Sequence, residues 1–94
     1  MSRLYWARND GMSGHVWLSE ADQDALAREM IVQGMTDFPV EKFREGAEMH
    51  VTMTEIDRAL ASASPDPVTV DGKLWRDWLA FLEGASTKGG LLVR

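Results

Sequence analysis

Asp10-Gly11 constrains this chain most strongly, because it stands between two short runs of residues that favour β-strands. The runs RLYWAR (3–8) and HVWL (15–18) are rich in aromatic and other strand-favouring side chains. An Asp-Gly pair flanked by such runs predicts a β-hairpin with a two-residue turn. Facing positions then have residue numbers that sum to 21, as 10 and 11 do, so that Leu4 lies opposite Trp17. A wider loop over residues 9–14 is an equal alternative, because Gly14 can also form a turn. Since a two-stranded ribbon is not stable alone, a third strand or a helix must cover it.

The same stretch contains an alternative site formed by Asp10, Ser13 and His15. A nucleophilic serine in a G-x-S-x-G turn lies between a strand and a helix, whereas here the second glycine comes one position too early. Along a strand, Ser13 and His15 would be roughly 6–7 Å apart, which is too far for a direct hydrogen bond. Turn and strand chemistry explains these three residues better, and a small catalytic or ligand site remains the alternative interpretation.

The first predicted helix covers about residues 20–33. Ser19 is placed as its N-cap, the acids that follow complement the positive end of the helix, and Gly34 ends it. Its predicted apolar stripe consists of Leu26, Ala27, Met30 and Ile31. Most acids of the central part of the chain are expected at solvated helix positions: Asp22, Asp24, Glu29, Glu41, Glu45 and Glu48.

A second helix is predicted at about 53–63, because Thr52-x-x-Glu55 matches a capping box and apolar residues follow at helical spacing. Pro65-Asp66-Pro67 prevents its continuation, since proline lacks the backbone donor and restricts the residue before it. Residues 68–70 are then expected to form a short extended piece.

The third long helix is predicted at about 72–83, capped by Asp71 and closed by Gly84. Its wide apolar band makes it the candidate for the centre of the core.

The apolar end LLVR (91–94) predicts a third strand that pairs with the hairpin. For residues 35–51 the sequence leaves two alternatives, a short helix that starts near Pro39 and a loop. The predicted class is α+β: one domain over 1–94, with a small antiparallel sheet packed against three main helices.

Charge and composition narrow the classes of function. The chain has 94 residues, no cysteine and a net charge of −5, with the acidic excess in its middle. Because no cluster of lysine and arginine is present to neutralise phosphates, nucleic-acid binding is disfavoured. No apolar run reaches the length of a membrane span, so membrane insertion is not expected. The absence of cysteine excludes disulfides and thiolate chemistry, and a cytoplasmic location is the default expectation.

Four tryptophans, Trp6, Trp17, Trp75 and Trp78, are an unusual number for a chain of this length. One interpretation is a small core that uses large side chains to increase burial. The other is that one or two of these indoles are exposed anchors for a protein partner, because tryptophan is enriched at the residues that dominate binding energy in interfaces.

Together these features predict a small protein-interaction module, such as an adaptor, inhibitor or antitoxin-like protein, with an acidic helical face and aromatic anchors. Its expected partner is a protein, in one version a basic one, or a second copy of the chain that pairs at a free strand edge. Because no catalytic motif is present, the chain is not expected to be an enzyme, and no cofactor or metal is predicted. The alternative is a small ligand-binding domain or enzyme with a pocket between sheet and helices.

Overall fold

Four strands and four helices make up the part of the chain that the computed structural model describes, which is residues 3–7, 16–45, 48–87 and 89–93. In chain order they are β1 (Arg3–Ala7), β2 (Val16–Leu18), α1 (Glu20–Val32), α2 (Val40–Glu45), β3 (Met49–Val51), α3 (Met53–Ala61), α4 (Gly72–Thr87) and β4 (Leu91–Val93). Three substantial helices and a small antiparallel sheet confirm the predicted α+β class.

The first two strands pair in the register that the sequence predicts. The Cα partners of this antiparallel ladder are Arg3 with Leu18, Leu4 with Trp17 and Tyr5 with Val16, each pair summing to 21. Asp10 and Gly11 lie outside the described residues, so the two-residue turn itself stays a prediction. The agreement in register means that turn chemistry and strand patterning specify the same pairing.

β4 pairs antiparallel with β1, which confirms the third strand predicted from the apolar end of the chain. Its other side pairs with β3, which the sequence does not predict, and the strand order is β2-β1-β4-β3. Met49 and Val51 are buried and His50 is exposed, but three residues of alternation are too few to identify a strand. LLVR does not offer the free edge that the sequence suggests for a second copy, because β4 lies between two other strands. Among the described strands, β2 of the hairpin is at an edge of the sheet, and pairing of a second copy there stays a prediction.

α1 begins and ends as predicted. The backbone N–H of Asp22 donates to Ser19 Oγ at 3.1 Å, and Gly34 follows the helix with a φ of 77°, a left-handed conformation that favours glycine. The predicted apolar stripe is wrong in one position, because Ile31 is 48% exposed. Gln23 lies on the buried face, where its Nε2 donates to the carbonyl oxygen of Phe43 at 2.8 Å and ties α1 to α2.

Residues 35–51 contain a short helix followed by a strand. α2 starts directly after Pro39, and the N–H of Phe43 donates to the Pro39 carbonyl oxygen at 3.1 Å. Phe38, Val40 and Phe43 are buried, so this segment contributes to the core. Residues 68–70, in contrast, are bends and not the extended piece that the sequence predicts.

α3 has the predicted capping box at Thr52 and Glu55 and ends at Ala61, two residues early. α4 departs further from prediction, because it continues through Gly84 to Thr87. Two contacts of the extra turn explain the extension: Ala85 is buried in the core, and the Ser86 hydroxyl donates to the carboxylate of Asp57 on α3. These tertiary contacts outweigh the modest helix-breaking tendency of one glycine.

Replacing Gly84 by alanine is expected to stabilise the protein by about 0.5–1 kcal/mol, since an interior helical glycine loses more backbone entropy on folding than alanine does. Gly84 is exposed, and a Cβ built on it meets nothing within 4 Å. Urea unfolding followed by tryptophan fluorescence measures the change. A loss of stability would contradict the continuous helix.

The core lies where α4 packs against α3, the sheet and the segment around α2. Trp78 is at its aromatic centre, with ring centroids 6.1 Å from Phe38 and 5.2 Å from Phe43. Phe38 and Phe43 meet edge-to-face at 5.7 Å, an arrangement that aromatic rings prefer. The predicted central role of α4 is therefore confirmed.

Candidate functional site

Two of the four tryptophans belong to the core. Trp75 and Trp78 are 0% and 2% exposed, so they present no surface to a partner, and the anchor interpretation is wrong for both. Their burial follows from the wide apolar band of α4, which is enclosed by α3, the sheet and α2. Trp6 and Trp17 lie on β1 and β2, and their side chains fall outside the described part of the structure. The anchor hypothesis stays a prediction for these two.

Asp10, Ser13 and His15 also lie outside the described residues. The alternative catalytic or ligand site at these positions therefore remains a prediction. The other histidine, His50, is on β3 with an exposed side chain, opposite Leu92 of β4.

Glu29 is predicted at a solvated helix position, and the structure shows that this is wrong. Its side chain is 0% exposed, and its carboxylate accepts four hydrogen bonds. Oε1 accepts from the Thr69 backbone N–H at 2.6 Å and from the Thr69 hydroxyl at 2.7 Å. Oε2 accepts from the Val68 backbone N–H at 2.9 Å and from Gln33 Nε2 at 2.7 Å. Since a carboxylate has about four acceptor positions, the buried group is fully satisfied.

Gln33 extends these contacts along the same loop. Its Oε1 accepts from the Ser64 backbone N–H at 2.5 Å, and its Nε2 lies 3.5 Å from the Asp66 carbonyl oxygen. From α4, the indole N–H of Trp75 donates to the Ser64 carbonyl oxygen at 2.7 Å. Residues 64–70, here called the latch loop, are thus held by side chains from α1 and α4.

The environment of Glu29 keeps it ionised. Burial of the side chain raises its pKa, but the hydrogen bonds from Gln33, the Thr69 hydroxyl and the N–H groups of Val68 and Thr69 together outweigh burial. The net result lowers the pKa of Glu29 from 4.5 to about 2. A carboxylate that is charged and buried at neutral pH therefore links α1 to the latch loop.

The sequence contains one signal for this arrangement. Glu29 lies three residues after Leu26 and four before Gln33, so a helical projection places it beside the buried stripe. Residue type argues against burial, because glutamate is almost never fully buried unless it is paired. Its partners Val68 and Thr69 come from a distant loop, and no local pattern predicts that contact.

Beside the exposed side of α1 lies an apolar hollow of about 400 Å³, here called the α1–α2 hollow. It is lined by Ile31, Met35, Thr36, Phe38, Pro39, Val40, Glu41 and Lys42. Most of the lining is apolar, and the two charged residues, Glu41 and Lys42, are exposed. It lies between helices, and not between the sheet and the helices where the sequence predicts a pocket.

Four large apolar side chains are exposed in the described residues, and one of them, Ile31, lines this hollow. Of the four in the described residues, Ile31 and Val32 end α1, and Val68 is on the latch loop. The hydrogen bond from Val68 N–H to Glu29 places it close to this end of the helix. The fourth, Met53, begins α3. Ile31, Val32, Val68 and the α1–α2 hollow are here called the α1 end surface.

Two arginines, Arg28 and Arg44, form ion pairs with acidic side chains of α1 and α2. The Asp24 carboxylate is 2.5 Å from Arg28 Nη2 and 3.4 Å from Arg44 Nε, and Glu41 Oε1 is 3.8 Å from Arg44 Nη1. Such exposed pairs add little to stability. They leave the net charge of the chain at −5.

Within the described ranges, no three His, Asp or Glu side chains are grouped so as to hold a metal ion. Over the same residues, no helix combines the length and hydropathy of a membrane span.

Comparison of the chain with known proteins gave no matching family model, no similar curated protein and no similar solved structure. The features from which a function can be derived are therefore the chain's own: the α1 end surface, the latch loop and the acidic charge.

Proposed function

We propose that this domain is a protein-interaction module whose partner binds the α1 end surface. The observation that supports this most strongly is the exposure of large apolar side chains at the end of α1 and on the latch loop: Ile31 is 48%, Val32 50% and Val68 75% exposed. Apolar side chains exposed together on a small domain are typical of interaction sites, because leaving them in water costs free energy that a partner recovers. The hollow beside Ile31 would receive an apolar side chain of the partner.

The acidic charge favours a basic partner. Asp37 and Asp66 are exposed near the α1 end surface, one between two residues that line the hollow and one on the latch loop. Complementary charge accelerates association and disfavours acidic competitors more than it increases affinity. Adaptor, inhibitor and antitoxin-like roles all need one such surface. A cytoplasmic location is part of this proposal, because a chain without cysteine needs no oxidising compartment.

Changing Ile31 to glutamate is expected to weaken partner binding at least about tenfold, because a charge replaces an apolar side chain in the lining of the hollow. The matched control is Met53→Glu, since Met53 is similarly exposed at 46% but lies at the start of α3. Quantitative affinity capture from the native cell extract compares wild type with both variants. A partner lost with Ile31→Glu and retained with Met53→Glu supports the proposal. If no captured protein distinguishes the two variants, the α1 end surface is not the binding site.

One observation favours a second candidate function, a small ligand-binding domain. The volume of the α1–α2 hollow, about 400 Å³, falls in the range of pockets that bind small molecules. A ligand here would be mostly apolar, because the lining offers few polar groups. Titration with a naphthalene-type fluorescent probe, with methyl NMR signals of Ile31 and Met35 as readout, tests this function. Absence of saturable shifts at both methyls would exclude it for this class of compound.

A further inference from the structure

We infer that the latch loop opens from α1 as a local unit while the rest of the domain stays folded. Most of the loop is at the surface: Ser64, Pro65, Asp66, Val68 and Thr69 are exposed. Val70, half-buried against the core, is its main apolar contact. Because little apolar area is lost on opening, separation of the loop does not require the core to unfold.

The bonds that hold the loop come from a few side chains. Glu29 and Gln33 hold it from α1, and Trp75 holds it from α4. Among the described residues, no backbone–backbone hydrogen bond fastens residues 64–70 to a helix or strand. Three donors of Val68 and Thr69 bond to the Glu29 carboxylate, and these contacts weaken together if that group loses its acceptor capacity. The bonds of Ser64 to Gln33 and Trp75 form a separate attachment at the start of the loop.

In the part of the chain that the structure describes, no cationic side chain pairs with this carboxylate. The groups facing Glu29 are the Gln33 amide, the Thr69 hydroxyl and two backbone N–H groups. The ionisable side chains on the adjoining elements are engaged elsewhere or exposed: Arg28 pairs with Asp24, Asp71 accepts from the Leu74 N–H, Lys73 pairs with Asp77, and Asp66 is exposed. The loop is therefore held closed while Glu29 is ionised, and falling pH favours opening.

Opening has a direct consequence for the α1 end surface. Val68 is positioned by its N–H bond to Glu29, so an open loop moves Val68 away from α1. This conformational step is a property of the free domain. It can be measured whether or not the surface binds a protein.

Native-state hydrogen exchange with increasing denaturant tests the inference. The amides of Val68 and Thr69 report the loop, and those of Leu26 and Leu82, buried in α1 and α4, report the core. We expect the two loop amides to exchange by a route almost independent of denaturant, and the core amides to exchange with the steep dependence of global unfolding. If all four share the steep dependence, the loop opens only when the domain unfolds and the inference is overturned.

Thr69→Val gives a second test without removing the carboxylate. It deletes the hydroxyl that donates to Glu29, and we expect protection of the Val68 and Thr69 amides to fall about fivefold, the usual weight of one hydrogen bond. Protection of the Leu26 and Leu82 amides should fall by a similar factor, because the closed native state loses this bond relative to both the open and the unfolded state. Thr54→Val, at an exposed position on α3, is the control and should change none of the four. Unchanged protection of the Val68 and Thr69 amides in Thr69→Val would overturn the inference.

Discussion

Replacing Glu29 by glutamine is expected to lower the free energy of unfolding by about 3 kcal/mol at neutral pH. The pKa of Glu29 is lowered from 4.5 to about 2, and each unit corresponds to about 1.4 kcal/mol in favour of the folded ionised form. Glutamine replaces one oxygen with an amide NH₂, which would face the N–H donors of Val68 and Thr69 or the amide of Gln33. Urea unfolding at pH 7 measures the difference.

Glu83→Gln is the matched control, because Glu83 is an exposed glutamate on α4. An exposed substitution of this kind is expected to change stability by less than about 0.5 kcal/mol. A Glu29→Gln variant as stable as Glu83→Gln would contradict the buried carboxylate described here.

Replacing Gly90 by alanine is expected to destabilise the protein by about 3 kcal/mol. Gly90 has a φ of 117°, which side-chain-bearing residues rarely adopt, and a Cβ built on it lies 2.5 Å from the Val51 carbonyl oxygen. Backbone strain and overpacking each typically cost about 1–3 kcal/mol. Because Val51 pairs with Leu91, the residue after Gly90, relief of the clash would disturb the contact between β3 and β4. Urea unfolding followed by tryptophan fluorescence gives the loss.

The Gly34→Ala variant distinguishes backbone strain from overpacking as the cause of the loss. Gly34 has a φ of 77°, but a Cβ there meets nothing within 4 Å, so only backbone strain of about 1–2 kcal/mol is expected. The prediction for Gly90 is contradicted if its alanine variant loses no more stability than Gly34→Ala.

Local chemistry was sufficient to predict much of the fold. The numbers of paired residues in β1 and β2 sum to 21, because strand patterning around Asp10-Gly11 specifies one register. Ser19 and Thr52 cap helices where predicted, since a cap needs only its own side chain and the next three residues. Features that depend on neighbouring residues in sequence are therefore predictable in this chain.

The predictions from the sequence fail where contacts with distant parts of the chain determine the secondary structure. β3 is three residues long and becomes a strand by pairing with β4, about forty residues later in the chain. α4 passes Gly84 because Ala85 and Ser86 find partners in the core and on α3. Neither contact has a signal within the segment itself, so a prediction from local propensity ends the helix early and omits the strand.

The candidate site could be predicted least. Tryptophan composition drew attention to Trp75 and Trp78, whose large apolar area is the reason that they are buried. The large apolar residues exposed in the described part of the chain include no aromatic one. Periodicity predicts Ile31 in the core stripe, because helical periodicity alone does not define the edge of a buried face. What brings Val68 to this surface is the buried Glu29, a residue type expected in solvent.

The central structural claim is that an ionised, buried Glu29 holds the latch loop against α1. The most direct test is to follow the carbon-13 shift of its side-chain carboxyl as the pH is lowered. A free glutamate is half protonated near pH 4.3. Because the pKa is lowered to about 2, Glu29 should remain ionised well below that pH, and its stabilising effect should be lost only as the pH falls from 4.5 toward 2. A midpoint near 4.5 in the folded protein would contradict the claim.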